Sequence, residues 1–181
     1  MTVSAEQPQP PQLETITLGG GCFWCVEAVY DQLDGVESAT SGYMGGEVEN
    51  PTYKQVITGL TGHIEVVQVQ FDPAKVTLAE ILEWFWQMHN PTTKDRQGND
   101  VGPQYASAIF YESDAQKTVI EKSITQAQEA WDAPIVTHVR AAAPFYTAEG
   151  YHQEYYRLNK NKNPYCQYVI TPKLKKLKLE Y

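Results

Sequence analysis

Residues 19–27, Gly-Gly-Gly-Cys-Phe-Trp-Cys-Val-Glu, place a cysteine directly after three glycines and directly before a segment with helical spacing. Glycines remove side-chain bulk and allow positive φ, so a substrate can approach this turn closely. Cys22 therefore lies among free backbone N–H groups at the positive end of a helix dipole, and both favour thiolate over thiol. Because a thiolate is a nucleophile and also a metal ligand, this spacing alone leaves catalysis and metal binding open.

Two further cysteines follow, Cys25 about one helical turn after Cys22 and Cys166 near the C-terminus. An odd number of cysteines does not suit a static disulfide framework, and a reducing cytosol keeps thiols free. We therefore expect the three thiols to serve redox or metal chemistry. A Cys3His zinc site that adds His63 to the three thiols would use the same atoms.

A glutamate is predicted on the apolar face of a strand. Residues 64–71 alternate, and Glu65 lies on the same side as Val67, Val69 and Phe71. Removal of water favours the neutral form of a carboxyl group, so we expect burial to raise the pKa of Glu65. The sequence therefore predicts a protonated carboxyl group that can act as a general acid.

The elements that must position these groups alternate between strands and helices. Several strands follow one another directly, which favours a mixed or antiparallel sheet over a doubly wound parallel one. We predict an α+β fold, a two-layer sandwich with helices packed on a mixed or antiparallel sheet and a ferredoxin-like core. Strands are predicted at 13–18, 36–43, 64–71, 106–111 and 135–139, helices at 22–33, 77–88, 113–131 and 149–159, and a long loop at 89–104.

The length and composition fit one catalytic domain. The chain has 181 residues, of which 42% are hydrophobic, as in an ordinary globular protein. We expect a disordered lead-in over 1–12, which is rich in proline and glutamine, and a single domain over 13–181. Residues 161–181 are predicted to form an irregular tail that carries Cys166.

The charge of the chain excludes two classes of function. The net charge is −8 and the pI is about 5.0, whereas nucleic-acid binding and adhesion to an anionic membrane both need a basic face. No apolar run approaches the roughly 20 residues needed to cross a bilayer, and the N-terminus lacks the apolar core of a signal peptide. We expect a cytoplasmic protein that acts as a monomer.

At residues 21–24 the chain resembles the A-type peptide methionine sulfoxide reductases, whose signature is Gly-Cys-Phe-Trp, and the resemblance covers the chain from about residue 14. The resemblance continues in the family's order to about Cys166, and six motifs in register are far more specific than one. It implies thiol-dependent reduction of the S epimer of methionine sulfoxide, free or within proteins, as repair of oxidative damage. The further motifs are Gly-Tyr-Met-Gly-Gly at 42–46, Asn-Pro-Thr-Tyr at 50–53, Thr-Gly-His-Ile-Glu at 61–65, Arg-Gln-Gly-Asn-Asp at 96–100 with Gln-Tyr at 104–105, and His-Gln at 152–153.

Reduction of a sulfoxide by a thiol needs a thiolate, acids near the oxygen and an apolar seat for the methyl group. The resemblance distributes these roles over seven residues. They are Cys22 as nucleophile, Glu65, Tyr53 and Tyr105 as proton donors, Phe23 and Trp24 as the methyl seat, and Asp100 as the group that orients the ligand.

Attack leaves a sulfenic acid on Cys22, which a second thiol converts to a disulfide. Many family members carry glycine at the position of Cys25 and use a cysteine on the C-terminal tail, which Asn-Pro-Tyr-Cys at 163–166 resembles. We favour Cys166 as the first resolving thiol, with Cys25 competing or receiving the disulfide afterwards. The resemblance implies no resident cofactor or metal, and it implies thioredoxin as the external dithiol.

A general thiol–disulfide oxidoreductase is the other alternative. Thioredoxin-type sites place Trp before the first cysteine and usually Gly-Pro between the pair, whereas Phe23 and Trp24 fill that gap here. His63 and His152 are interpreted as structural hydrogen-bonding residues.

Overall fold

The computed structural model describes residues 9–179. In that part of the chain, short 3-10 turns at Pro103–Tyr105 and Gly150–His152 and a π-helical segment at Cys166–Ile170 accompany the regular elements. These elements are β1 (Glu14–Gly20), α1 (Phe23–Tyr30), β2 (Val36–Met44), α2 (Tyr53–Val56), β3 (Ile64–Phe71), α3 (Leu78–Met88), β4 (Arg96–Gln97), β5 (Asp100–Val101), β6 (Ser107–Tyr111), α4 (Asp114–Gln128), β7 (His138–Ala141), β8 (Tyr146–Thr147), α5 (Tyr155–Asn159) and α6 (Thr171–Lys176).

The main sheet has the strand order β7-β6-β1-β3-β2-β8. The central strands β6, β1, β3 and β2 are antiparallel neighbours, β8 adds antiparallel to β2, and β7 adds parallel to β6. The chain order β1-α1-β2-β3-α3-β6 combined with this spatial order defines a ferredoxin-like core. The predicted α+β fold with a mixed sheet is therefore confirmed.

The two faces of the sheet carry separate apolar clusters because side chains alternate along each strand. Val67, Val69 and Phe71 of β3 are fully buried in the larger cluster, which includes α1 and α3. Each such side chain contributes about 1.5–3 kcal/mol of burial free energy. The apolar cluster on the opposite face is smaller, and Phe145 packs against it. The larger cluster is the one that surrounds the start of α1 and so forms the floor of the site.

Helix α3 begins with the capping box that its sequence predicts. Thr77 Oγ1 accepts from the Glu80 amide at 3.2 Å, and the Thr77 amide donates to Glu80 Oε2 at 2.7 Å. Together these bonds satisfy donors that have no partner inside the helix.

The strand predicted at 135–139 is displaced and shorter. The Ile135 amide donates to the Gln128 side chain at 2.9 Å, and the Val136 amide donates to the Pro91 carbonyl at 2.8 Å. Because these partners lie outside the sheet, pairing with β6 begins only at His138.

The helix predicted at 149–159 is broken in the middle. Gln153 is extended, and its side chain bonds both the amide and the carbonyl of Ser41 in β2. Glu154 has φ +52°, and its amide donates to the Glu27 carboxylate of α1. The segment therefore bonds to partners in β2 and α1 instead of forming one continuous helix, and it keeps only the 3-10 turn at Gly150–His152 and α5.

The C-terminal tail, predicted to be irregular, is helical over most of its described length. Cys166, Ile170 and Leu174 are fully buried at a spacing of four residues, which is the pattern of one buried helical stripe. The π-helical segment contacts α1 directly. The tail thus packs on the helix that begins at the reactive cysteine.

The predicted disordered lead-in over 1–12 lies largely outside the described residues. Residues 9–12 are exposed and form no regular structure. Within residues 9–179, no helix is both long and apolar enough to cross a bilayer.

Candidate active site

A glycine turn carries the chain from β1 into α1. Gly21 has φ +93°, and a Cβ there would lie 2.7 Å from the side chain of Gln97, so only glycine fits. Cys22 is the N-cap residue but makes no side-chain cap. The Phe23 amide instead donates to Glu65 Oε2 at 3.1 Å. One hydrogen bond therefore links the helix that carries the thiol to the carboxyl group on β3.

Glu65 is fully buried on the helix side of β3, as its alternation predicts. Burial raises its pKa to about 8, although the Phe23 amide acts in the opposite direction. Its other oxygen, Oε1, is buried without a hydrogen-bond partner in the described part of the chain. At neutral pH the group is therefore protonated, with one oxygen left unpaired for a ligand.

Cys22 and Cys25 lie on the first turn of α1, where the Cys25 amide donates to the Cys22 carbonyl at 3.0 Å, and the two thiols shift each other's pKa. Cys22 keeps partial exposure, yet burial raises the pKa of its thiol, and the neighbouring Cys25 and Glu65 raise it further. The neighbouring Cys22 lowers the pKa of Cys25 to about 7, despite the burial of Cys25. Burial therefore opposes the thiolate that the helix terminus favours at Cys22, and the ionised form of Cys22 stays a prediction.

The phenols of Tyr53 and Tyr105 and the carboxylate of Asp100 complete the surroundings of the Cys22 thiol. Burial, together with the nearby Glu65 and Cys22, raises the pKa of Tyr53 to about 12. Burial and the charges of Glu65 and Asp100 raise the pKa of Tyr105 as well. Both phenols therefore stay protonated, and the structure brings together all five of these residues, which are far apart in the sequence.

The rings that follow Cys22 have different environments. Phe23 is fully buried and stacks on Tyr53 with ring centroids 6.4 Å apart. Trp24 is partly exposed, stacks on Tyr155 at 3.7 Å, and donates from Nε1 to His152 Nδ1 at 3.1 Å. Trp24 is thus the ring of the pair that a ligand can reach, and His152 holds it in place.

Sequence reasoning missed the role of Tyr165. Its hydroxyl donates to Asp100 Oδ2 at 2.7 Å and lies 3.8 Å from Cys25 Sγ. Its ring meets Trp24 edge-on at 5.9 Å. The Asn-Pro-Tyr-Cys motif drew attention only to its cysteine, although the tyrosine beside it is the residue that contacts the site.

Two candidates remain, the third cysteine Cys166 and the histidine of the alternative zinc set, His63. Cys166 is fully buried and free, and burial raises the pKa of its thiol. His63 accepts from the Gly46 amide at 3.0 Å, and its other ring nitrogen contacts the Val48 carbonyl at 2.7 Å. With both nitrogens in backbone contacts, His63 does not complete the zinc set considered above. Across residues 9–179, no group of three or more His, Cys, Asp or Glu side chains has an arrangement that could hold a metal ion.

A thiol pair at a helix start, beside a neutral carboxyl group and two protonated phenols, defines an acid-assisted thiol oxidoreductase. The family model "Peptide methionine sulfoxide reductase" matches residues 14–181. The chain belongs to the peptide methionine sulfoxide reductase family.

Individual relatives agree with this assignment. A Chromobacterium violaceum protein named peptide methionine sulfoxide reductase MsrA is 50% identical over 171 residues, which cover 93% of this chain and 97% of the relative. The reduced form of Mxr1 from Saccharomyces cerevisiae superimposes with a TM-score of 0.81 at 35% identity, covering 87% of this chain and 91% of Mxr1. Mxr1 in complex with Trx2 superimposes with a TM-score of 0.59 at 28% identity, covering 83% and 89%.

Proposed function

We propose that the protein reduces the S epimer of methionine sulfoxide, free or within proteins, with Cys22 as the nucleophile. The observation that carries this proposal is the hydrogen bond from the Phe23 amide to Glu65, which sets a neutral carboxyl group beside the reactive thiol. A poor oxygen leaving group requires such a proton donor. Thiol–disulfide exchange instead expels a thiolate, which is a much better leaving group than the sulfoxide oxygen and can depart without a proton.

In the first step the Cys22 sulfur attacks the sulfoxide sulfur while its proton passes to the neighbouring Cys25, which is partly ionised at neutral pH because its pKa is about 7. The unpaired oxygen of Glu65 and the phenols of Tyr53 and Tyr105 donate to the sulfoxide oxygen. The bond that attack forms between the two sulfurs breaks again as the oxygen moves, so the S–O bond of the substrate is lost and an S–O bond to Cys22 is formed. The net change is thiol plus sulfoxide to sulfenic acid plus methionine.

The substrate is held by the groups around the thiol. Trp24 offers its partly exposed face to the methyl group, and Phe23 supports it from the buried side. Asp100 orients the ligand from the β5 side of the site. These three roles follow the family pattern, and the partial exposure of Trp24 supports the first of them.

In the second step a thiol attacks the Cys22 sulfenic acid, forming a disulfide and releasing water. The place of Cys25 on the same helical turn as Cys22, with its amide 3.0 Å from the Cys22 carbonyl, supports Cys25 as the first resolving thiol, in preference to Cys166. A free thiol at Cys166 then receives the disulfide by exchange. The complex of the yeast relative with Trx2 supports a thioredoxin as the dithiol that restores the reduced enzyme.

A single-turnover assay tests this function. Reduced protein is mixed with one equivalent of the S or the R epimer of a methionine sulfoxide amide, and methionine formation is followed. We expect product from the S epimer only, and none from Cys22→Ser. Product from neither epimer, or retained activity in Cys22→Ser, would refute the proposal.

We further propose a monomer that works in the cytoplasm without a bound cofactor. The three free cysteines suit a reducing compartment, and the net charge of −8 suits a soluble, non-associating chain. Light scattering of the purified protein tests the monomer, and a dimer mass would contradict it. Metal analysis tests the absence of a metal cofactor, and one equivalent of bound zinc would contradict it.

A further inference from the structure

The C-terminal tail places a phenol between the second thiol and a carboxylate. The Tyr165 oxygen lies 3.8 Å from Cys25 Sγ and donates its proton to Asp100 Oδ2 at 2.7 Å. A phenol has a single proton but can also accept. With that proton directed at Asp100, the Tyr165 oxygen is left to accept from the Cys25 thiol.

The position of Tyr165 is fixed by its neighbours. Its amide donates to the Asn163 side chain at 2.8 Å, and Asn163 donates in turn to the Tyr155 hydroxyl at 2.6 Å. Tyr155 stacks on Trp24. The phenol therefore belongs to the same packed unit as the rings that follow Cys22, and its two polar contacts keep their geometry.

We propose that Tyr165 relays the proton of the resolving thiol: as Cys25 attacks the Cys22 sulfenic acid, its proton passes to the Tyr165 oxygen while the phenol proton passes to Asp100. This inference rests on the proposed function and concerns its second step. The S–S bond forms and the Cys22 S–O bond breaks. Glu65, which gave its proton to the oxygen in the first step, is reprotonated from solvent; the departing hydroxide takes that proton and leaves as water.

Oxidation of Cys22 creates the need for such a relay. In the reduced pair the neighbouring Cys22 lowers the pKa of Cys25 more than any other group does. Once Cys22 is a sulfenic acid, that neighbouring group is the one under attack. Cys25 then needs another partner for its proton, and Tyr165 is already in contact.

Other charges around Cys25 shape its ionisation but do not accept its proton through a described contact. The positive charge of Lys173 in α6 favours the thiolate, whereas the negative charge of Asp100 opposes it. The titratable groups that surround Cys25 are Cys22, Glu65, Asp100, Tyr165, Cys166 and Lys173. Any pH profile of the second step has to be compared between variants in which the rest of this set is unchanged.

Rapid mixing of reduced enzyme with one equivalent of an S-methionine sulfoxide peptide tests the relay. Methionine release reports the first step, and loss of free thiol reports the second. For Tyr165→Phe we expect the ratio of the second rate constant to the first to fall about tenfold or more, the scale of a lost proton-transfer group. The Cys22 sulfenic acid should then become trappable by a dione reagent. Tyr168→Phe, on the same segment but 79% exposed, should leave the ratio unchanged.

The pH dependence and a second variant separate a relay from packing. In Tyr165→Phe the second step should accelerate as pH rises, because hydroxide replaces the missing acceptor. Asp100→Asn should also lower the ratio of the second rate constant to the first, because its side-chain amide cannot take up the phenol proton. Equal slowing of both steps in Tyr165→Phe, or a disulfide that maps to Cys22 and Cys166, would overturn the relay. Absence of methionine from the unmodified enzyme would instead refute the proposed function.

Discussion

Replacing Glu65 by glutamine should inactivate the enzyme and at the same time stabilise its fold at alkaline pH. The carboxyl group has a pKa of about 8 in the folded protein against an ordinary value of 4.5. Between these pH values the unfolded chain has lost this proton and the folded chain retains it. The free energy of unfolding therefore falls as pH rises from 4.5 towards 8.

The size of this effect follows from the two pKa values. A pKa difference of one unit corresponds to about 1.36 kcal/mol, so wild type should lose about 3 to 4 kcal/mol of stability between pH 5 and pH 8 through Glu65 alone. Glutamine does not titrate, so Glu65→Gln should lack this loss. The difference between the two pH profiles isolates Glu65, since every other group titrates in both proteins.

Urea unfolding at a series of pH values measures these profiles, and single-turnover methionine release measures activity. Glu65→Gln should lose activity by about 100-fold or more, because an amide cannot donate the proton that the leaving oxygen needs. Glu83→Gln, at an exposed position of α3, is the matched control and should change neither quantity. Parallel stability profiles for wild type and Glu65→Gln would refute the argument that burial keeps this carboxyl group neutral.

Three further predictions concern the thiols, the phenols and the sheet. Cys25→Ser should release one methionine per enzyme at a rate near wild type or slower and then retain a sulfenic acid, which mass spectrometry detects; an immediate disulfide to the tail would contradict this. Tyr53→Phe and Tyr105→Phe should each slow single-turnover methionine release about tenfold to 100-fold, since each removes a donor to the oxygen, and unchanged rates in both would exclude them as donors. Gly42→Ala should destabilise the protein by about 1–3 kcal/mol in urea unfolding, because a Cβ there lies 2.4 Å from the Phe145 ring; a wild-type midpoint would contradict the packing described.

Local signals in the sequence were sufficient for the core of the fold. The strand at Ile64–Phe71 is bounded as predicted because strict alternation has a single solution when one face is buried. The helix after Thr77 begins as predicted because a capping box is a local pattern. The buried position of Glu65 follows from the same alternation, and so does the raised pKa.

Features that depend on distant partners were not predictable in this way. The break before Tyr155 arises because Glu27 and Ser41 offer hydrogen bonds to residues 153–154. The contact of Tyr165 with the thiol pair depends on how the tail folds back over α1, which no local pattern encodes. Whether the pKa of the Cys22 thiol is raised or lowered likewise depends on how much water the folded site excludes.

The bond from the Phe23 amide to Glu65 makes that amide a built-in reporter of the acid. A hydrogen bond to an ionised carboxylate is stronger than one to a neutral carboxyl group. The NMR resonance of the Phe23 amide should therefore move as Glu65 titrates. A ligand that displaces the Glu65 carboxyl group would also break this hydrogen bond and free the Phe23 N–H, the first of α1. The NMR resonance of the Phe23 amide should therefore report whether a ligand occupies the site, without a probe attached to Cys22 or Cys25.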